Sequence, residues 1–154
     1  MVYSICITDK GGRLQNLAAT MSSRRLLTAM EAEFLLRSLG IRLKDRYERT
    51  GILHDLQVAI ALIAAAVRVT PHGHPNRAGL LHILGEIFAR RYERTGNPQN
   101  LQAAIVRLAA AVEAIPLYHP HRVVLLGELG NHLSSRYDRT GNLRDLKAPS
   151  TDQR

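Results

Sequence analysis

The chain has 154 residues, of which 45% are apolar, and a formal net charge of +8 to which arginine contributes most. Its length fits one domain, and its apolar share suffices for a core, which excludes a globally disordered chain. Cys6 is the only cysteine, so an intramolecular disulfide framework is excluded and a reducing compartment is favoured.

Neither a secretory signal nor a membrane span is expected. Residues 1–10 lack a basic region followed by an apolar run, and no apolar segment approaches the ~20 residues that span a bilayer. We therefore expect a cytoplasmic protein that contacts no membrane. Residues 1–11 show no hydrophobic period and end at a pair of glycines, which predicts an irregular N-terminal lead-in.

Residues 12–31 are predicted to form a degenerate half-repeat. Their leucines and arginines match a spacing that is found again in residues 81–95. The segment is long enough for one helix of a repeat but too short for two, because the next repeat begins near Ala32.

The first full repeat, residues 32–74, contains the hexapeptide Arg46–Gly51, with the sequence Arg-Tyr-Glu-Arg-Thr-Gly. The hexapeptide returns at Arg91–Gly96 and, with Asp138 in place of glutamate, at Arg136–Gly141. Successive glycines are 45 residues apart, since 96 − 51 = 45 and 141 − 96 = 45. A fixed period of about 20–50 residues is typical of stacked structural repeats.

Each full repeat is predicted to contain two amphipathic helices. In the first repeat, the inner residues of the first helix recur every three or four positions, as on one helix face: Leu36, Leu39, Gly40, Leu43 and Tyr47. Gly51 is expected to end this helix because glycine readily takes the left-handed conformation. The second helix is predicted from about Leu53 to Val69, and the prolines of residues 71–75 follow it.

The second repeat, residues 75–119, has the same pattern, with Asn97 as N-cap and Pro98 at the first position of its second helix. The third repeat, residues 120–146, is predicted to be incomplete. In the C-terminal tail, residues 147–154, Pro149 stands where the second repeat has the inner Ala104, since 104 + 45 = 149. A proline inside a helix costs ~3 kcal/mol or more, so we expect the second helix of this repeat to be missing.

The spacing of these residues resembles that of tetratricopeptide repeats with an extended first helix. The matching positions in the second repeat are Leu81, Leu84, Gly85, Phe88, Ala104, Leu108, Ala111 and Pro116. The hexapeptide and the His-Pro loops look like those of repeat arrays in large fungal proteins, which often lie beside caspase-like CHAT domains. The resemblance covers about residues 32–146.

This resemblance implies an all-α fold, a right-handed solenoid of antiparallel helix hairpins with roughly two and a half repeats. It implies a non-catalytic protein–protein interaction module, either a scaffold or a fragment of a larger signalling or receptor-like protein. No protease or nucleotide-binding domain fits in this length, so the activity of such neighbouring domains is not carried over. No catalytic residue is assigned, because Cys6 has no sequence context that pairs it with a histidine. No metal ligand or cofactor is assigned either.

The concave side of such an array is lined by first-helix residues that lie beside the apolar stripe. We expect a protein or peptide partner to bind there. The candidate residues are Phe34, Arg37, Ile41 and Lys44 in the first repeat, His82, Glu86, Ala89 and Arg90 in the second, and Gly127, Asn131, Ser134 and Ser135 in the third.

A second candidate surface follows from the incomplete third repeat. Without a second helix, Leu126, Leu129 and Leu133 are expected to stay partly exposed, and an exposed leucine forfeits roughly 1.5–3 kcal/mol. We expect another chain to cover this face, and a homo-oligomer formed through it is one form of that expectation.

Other functions are also consistent with the sequence. The arginine excess suits a nucleic-acid-binding helical module, and the unfinished repeat suits a truncated gene product without a function of its own. The hexapeptide arginines could hold phosphate, but a helix C-terminus favours cations, so a structural role is preferred. The histidines of His72–His74 and His119–His121 could bind zinc, but no cysteine or carboxylate cluster completes the set.

Overall fold

The computed structural model describes the backbone of residues 13–147 and the side chains of residues 23–25 and 27–147. This part of the chain is entirely helical apart from turns and loops, which confirms the predicted all-α class. The elements are α1 (Arg13–Thr50), α2 (Leu53–Val69), α3 (Asn76–Thr95), α4 (Pro98–Ala114), α5 (His121–Thr140) and a short 3₁₀ helix (Leu143–Leu146).

Each helix packs on the helices next to it in the chain, from α1 on α2 through to α5 on α4, and the 3₁₀ helix packs on α5. The apolar core lies between the helices, and its largest fully buried side chains include Leu56, Ile63, Leu80, Leu84, Leu101, Leu108 and Leu125. No helix in the described part of the chain has both the length and the apolar character that crossing a membrane requires.

The helix bounds agree with the sequence prediction for α2 and differ for α1. The second helix of the first repeat runs from Leu53 to Val69, as predicted. The helix before it begins at Arg13, so the predicted half-repeat and the first helix of repeat 1 lie in one continuous helix. No proline or glycine occurs between Arg13 and Leu39, so no residue interrupts the helix at the predicted boundary. Residues 1–12 and 148–154, including Pro149, lie outside the described part.

The helix ends are capped by the glycine of each hexapeptide and, at the start of α4, by Asn97. Gly51, Gly96 and Gly141 take positive φ values of 69°, 66° and 65°, and each N–H donates to a tyrosine carbonyl oxygen four residues earlier at 2.7 Å. The predicted left-handed helix ends are thereby confirmed. Asn97 accepts a hydrogen bond from the Gln99 N–H at 2.9 Å, with proline at the first helical position, which confirms the predicted N-cap of α4.

Glycine allows the two helices of a repeat to approach closely. A Cβ built on Gly40 would lie 2.5 Å from Ile63 Cδ1, and one built on Gly85 would lie 2.9 Å from Leu108 Cγ. Gly130 occupies the same repeat position, yet a Cβ there would meet no atom of the described chain within 4 Å. The first helix of the third repeat therefore has the surface for a second helix but no such helix in the described chain.

Gly85→Ala and Gly130→Ala should change stability in opposite directions. In α3 the added methyl group overlaps Leu108, and overpacking costs about 1–3 kcal/mol, which exceeds a helix-propensity gain of about 1 kcal/mol. In α5 the methyl group meets open space, so only the gain of roughly 0.5–1 kcal/mol remains. Chemical denaturation measures both free energies of unfolding, and equal shifts would contradict the close approach.

The first arginine of the hexapeptide binds an aspartate within its own repeat. Arg46 Nε donates to Asp55 Oδ2 at 2.6 Å, and Arg136 Nε donates to Asp145 Oδ2 at 2.9 Å, in both cases with a second hydrogen bond from the same guanidinium. Both aspartates are buried. The hydrogen bonds from Arg46 hold the pKa of Asp55 below its usual range, and Arg136 lowers the pKa of Asp145 in the same way.

The second repeat lacks this ion pair. Asn100 stands at the position of the two aspartates, since 55 + 45 = 100, and it is buried. The buried Nε of Arg91 has no hydrogen-bond partner within the described chain. A buried donor without an acceptor destabilises the fold, so Arg91 lacks the stabilising contact that Arg46 and Arg136 make with their aspartates.

Asn100→Asp should therefore stabilise the protein. The new carboxylate would accept hydrogen bonds from Arg91, as Asp55 does from Arg46, and we expect the free energy of unfolding at neutral pH to rise by about 1 kcal/mol. Asp55→Asn is the reciprocal control and should lower that free energy. Denaturant titration of both variants measures the effect, and destabilisation by Asn100→Asp would contradict this account of Arg91.

The two ion pairs should also make the stability of the fold depend on pH. Because the pKa values of Asp55 and Asp145 are lowered in the fold, their contribution is present above the unfolded-state pKa of about 3.9. It is lost as the pH falls through the lower folded-state values. Thermal melting between roughly pH 6 and pH 2 should show a smaller loss of stability for the double variant Asp55→Asn/Asp145→Asn than for the natural chain. Parallel pH curves would disprove the assignment.

Candidate binding surface

The helices α1, α3 and α5 share one surface because side chains bridge them directly. Lys44 Nζ on α1 lies 3.8 Å from Glu86 Oε2 on α3, and His82 Nε2 on α3 lies 2.8 Å from Glu128 Oε2 on α5. We call the surface formed by these three helices the first-helix surface. The residues predicted from repeat register to bind a partner lie on these helices, and the structure brings part of this set into contact.

The α1 part of the first-helix surface combines an exposed aromatic ring with charged groups. Phe34 is 57% exposed, and the Arg37 guanidinium lies over its ring at 5.9 Å from the centroid. Arg37 also lies 3.4 Å from the buried carboxylate of Glu33. Such an arrangement presents apolar area beside a cation whose position a neighbouring carboxylate restricts. Ile41, one turn further along, is half-buried.

Lys44 lies between two carboxylates. Its Nζ is 3.6 Å from Glu48 Oε1 on the same helix and 3.8 Å from Glu86 Oε2 on the next first helix. The contact with Glu86 links α1 to α3, whereas the contact with Glu48 stays within α1.

The α3–α5 part of the surface contains a cluster that we call the His82 cluster, formed by His82, Glu86 and Glu128. His82 and Glu86 are four residues apart on one helix and therefore share a face. One ligand atom from each of the three residues lies within 4.8 Å of the other two. The ring of His121 touches the edge of the His82 ring, with centroids 5.4 Å apart.

Sequence register predicted His82 and Glu86 for this surface but missed Glu128. The residue at the position of Glu128 in the previous repeat is Ile83, since 128 − 45 = 83. Glu128 could have been predicted as a surface residue from this difference, because a carboxylate stands where the preceding repeat has a half-buried isoleucine. Whether Glu128 reaches His82 depends on the offset and angle between α5 and α3, which the repeat spacing does not specify.

The remaining candidates on α3 and α5 differ in availability. Arg90 is exposed and lies 3.2 Å from Glu93 on its own helix. Asn131 is exposed, and Ser135 donates its hydroxyl to the Asn131 carbonyl oxygen at 3.0 Å. Ala89 was also expected on this surface, at the repeat position of Lys44, since 44 + 45 = 89. Its side chain is buried, with 7% exposure, and so offers little area to a partner.

His132 lies on α5, four residues after Glu128. Burial lowers the pKa of His132, and the charges of Glu128 and Glu93 oppose that shift. The neutral form of this imidazole is therefore favoured, so it adds no fixed positive charge beside the His82 cluster.

The predicted self-association residues are largely covered by the chain itself. Leu129 is only 3% exposed, and Leu126 and Leu133 are half-buried against the core. The exposed apolar area of α5 lies instead at Val123 and Val124.

The opposite end of the array exposes more apolar area than the sequence indicated. Leu35 and Leu39 of α1 are 59% and 50% exposed, whereas their repeat equivalents Leu80 and Leu84 are each 1% exposed. In the second repeat the preceding helix α2 covers this stripe, and no described helix does so for α1. Both ends of the helix stack thus present surfaces that a further helix of the same type would cover.

The hexapeptide arginines and the histidine loops have structural contacts. Arg139 hydrogen-bonds to the Tyr92 hydroxyl at 2.9 Å and lies over its ring, which joins the second and third repeats. His74 Nδ1 accepts a hydrogen bond from the N–H two residues later at 3.2 Å, and His119 Nδ1 does the same. These contacts support the structural interpretation of both motifs. Cys6 lies outside the described residues.

Comparisons with protein-family models, with curated proteins and with solved structures found no match for this chain.

Proposed function

We propose that this chain is a non-catalytic protein–protein interaction module that binds a protein or peptide segment on its first-helix surface. The observation that carries the proposal is a division between two sets of residues. Those that build the helix stack recur at the 45-residue period, as Gly40 and Gly85 do, or Arg46 and Arg136. Those on the first-helix surface do not recur.

The surface residues change character from repeat to repeat. Arg37 is followed at the same position by His82 and then by a glycine, and Ile41 is followed by Glu86 and then by Asn131. A surface that only had to be solvated could repeat like the framework. Different side chains on equivalent positions give each repeat its own contact, which is how a repeat array distinguishes one extended partner from another.

The repeat class, the cellular location and the contacts at the ends of the stack are part of the same proposal. The repeat spacing and the close glycine–alanine contacts support a tetratricopeptide-like, right-handed array of the kind found in large fungal proteins. The reducing environment suggested by the single cysteine supports a cytoplasmic location. The exposed leucines of α1 and valines of α5 support further contacts at the ends of the stack, either with a second copy or with other repeats.

A nucleic-acid-binding module is the second candidate, favoured by the net charge of +8. Several arginines are already engaged by protein groups, however. Arg77 donates to the carbonyl oxygens of Val67 and Thr70 at 2.7 and 2.6 Å, and Arg122 makes the equivalent contacts one repeat later. These cations stabilise the C-terminal ends of α2 and α4, which leaves fewer of them available for phosphate.

Peptide selection from a random display library on the folded protein tests the proposal. Selected peptides should bind Phe34→Ala and Arg37→Glu variants at least about tenfold more weakly, as expected when a central contact is removed. Arg107→Glu, an equal charge change on the exposed side of α4, is the matched control and should leave affinity unchanged. Selected peptides that tolerate both surface variants would place binding elsewhere.

The salt dependence of binding, measured on the same purified protein, distinguishes the two candidate functions. Binding of a single-stranded oligonucleotide that falls steeply between 50 and 200 mM salt, in the absence of surface-specific peptide binding, would favour the nucleic-acid function. Peptide binding that is only weakly salt-dependent would favour the interaction module.

A further inference from the structure

The His82 cluster brings three potential metal ligands together from two repeats. One ring nitrogen of His82, one carboxylate oxygen of Glu86 and one of Glu128 all lie within 4.8 Å of one another. Zinc binds imidazole nitrogen and carboxylate oxygen at about 2.0–2.2 Å, so ligand atoms around a tetrahedral ion lie roughly 3.4 Å apart. Small side-chain rotations would therefore bring the three atoms to bonding distance from one ion.

The helix geometry supports this arrangement. His82 and Glu86 are separated by four residues, so they project from the same face of α3 and can bind one ion together. Glu128 approaches from α5, where its carboxylate already lies 2.8 Å from His82 Nε2. The His82 side chain is 15% exposed, so it is held in place while the carboxylates remain accessible to solvent.

Present contacts of the cluster do not prevent an ion from entering. Glu86 forms an ion pair with Lys44 at 3.8 Å, but Lys44 has a second carboxylate, Glu48, at 3.6 Å. If Glu86 turns to a metal ion, Lys44 keeps that partner. A metal ion would replace only one hydrogen bond, between His82 and Glu128, and would satisfy both groups.

The cluster is not a by-product of the repeat. The positions one period earlier hold Arg37, Ile41 and Ile83, which offer no metal ligand. The stacking of helices therefore does not require a histidine and two glutamates here. Three side chains that can bind a metal ion therefore stand where the preceding repeat has an arginine and two isoleucines, and the structure brings these three side chains together.

We propose that His82, Glu86 and Glu128 bind a divalent transition-metal ion, with Zn²⁺ as the principal candidate, and that the ion joins α3 to α5. The imidazole favours Zn²⁺ and related ions over Mg²⁺ and Ca²⁺, which prefer an all-oxygen ligand set. Three protein ligands leave a fourth position open, and the exposed ring of His121 lies beside the cluster as a candidate to fill it. The inference is independent of peptide binding, since it concerns the free protein.

Isothermal titration of the metal-free full chain with ZnCl₂ in 0.15 M NaCl is the first test. We expect one ion per chain, a higher melting temperature with zinc, and little response to MgCl₂ or CaCl₂. His82→Ala and Glu86→Gln should each weaken zinc binding by at least about tenfold, since even outer-shell partners of metal ligands contribute about 10- to 100-fold. Glu86→Gln is the safer variant because it retains the His82–Glu128 hydrogen bond.

Two control variants decide where a bound ion lies. Glu93→Gln removes an exposed carboxylate of the same helix, and His72→Ala removes a histidine of the loop between α2 and α3. Both should bind zinc as the natural chain does. Zinc binding that survives His82→Ala and Glu86→Gln, or that is lost in His72→Ala, would overturn the proposal, as would no zinc binding at all. Circular dichroism in the presence of EDTA confirms that each variant is folded.

Discussion

Close contact between the two helices of the first and second repeats is the constraint on which the remaining structure depends. Gly40 and Gly85 lie against Ile63 and Leu108, at distances that no larger residue could occupy without moving them. The carbonyl oxygen of Ala104 lies 3.5 Å from a Cβ built on Gly85. With so little volume between the axes, leucine and isoleucine side chains above and below the contact interlock into one core. The two glycines are 45 residues apart, so the same contact occurs at equivalent positions of the first and second repeats.

Repeated polar contacts between neighbouring helices add to that core and engage four of the 21 lysines and arginines. Arg46 and Arg136 bind buried aspartates, and Arg77 and Arg122 bind the carbonyl oxygens at the ends of the preceding helices. These guanidinium groups join neighbouring helices through the planar donor set of arginine, which can donate two hydrogen bonds to one partner group. A large net charge is therefore compatible with a structural role, and it does not by itself indicate nucleic-acid binding.

The first-helix surface differs from this framework because its residues are not repeated. Phe34 and Arg37 lie at one end of it, and the His82 cluster lies at the other. A bound metal ion would restrict the relative position of α3 and α5, on which the shape of the surface depends. Ligand affinity and metal occupancy would then be coupled through one rigid-body contact, as expected when two sites bias the same structural element.

The sequence by itself determined the helical class, the 45-residue period, the bounds of α2, the helix ends at Gly51, Gly96 and Gly141, and the N-cap at Asn97. The helix bounds and helix ends depend on residues that are near one another in the chain, where hydrophobic period, capping and glycine conformation act locally. The 45-residue period is read directly from the recurring hexapeptide. Only the tertiary structure decided which side chains of different repeats meet. It placed Glu128 beside His82, buried Leu129, and left Leu35 and Leu39 exposed. Those outcomes depend on the offset and angle between stacked helices, which a one-dimensional spacing does not contain.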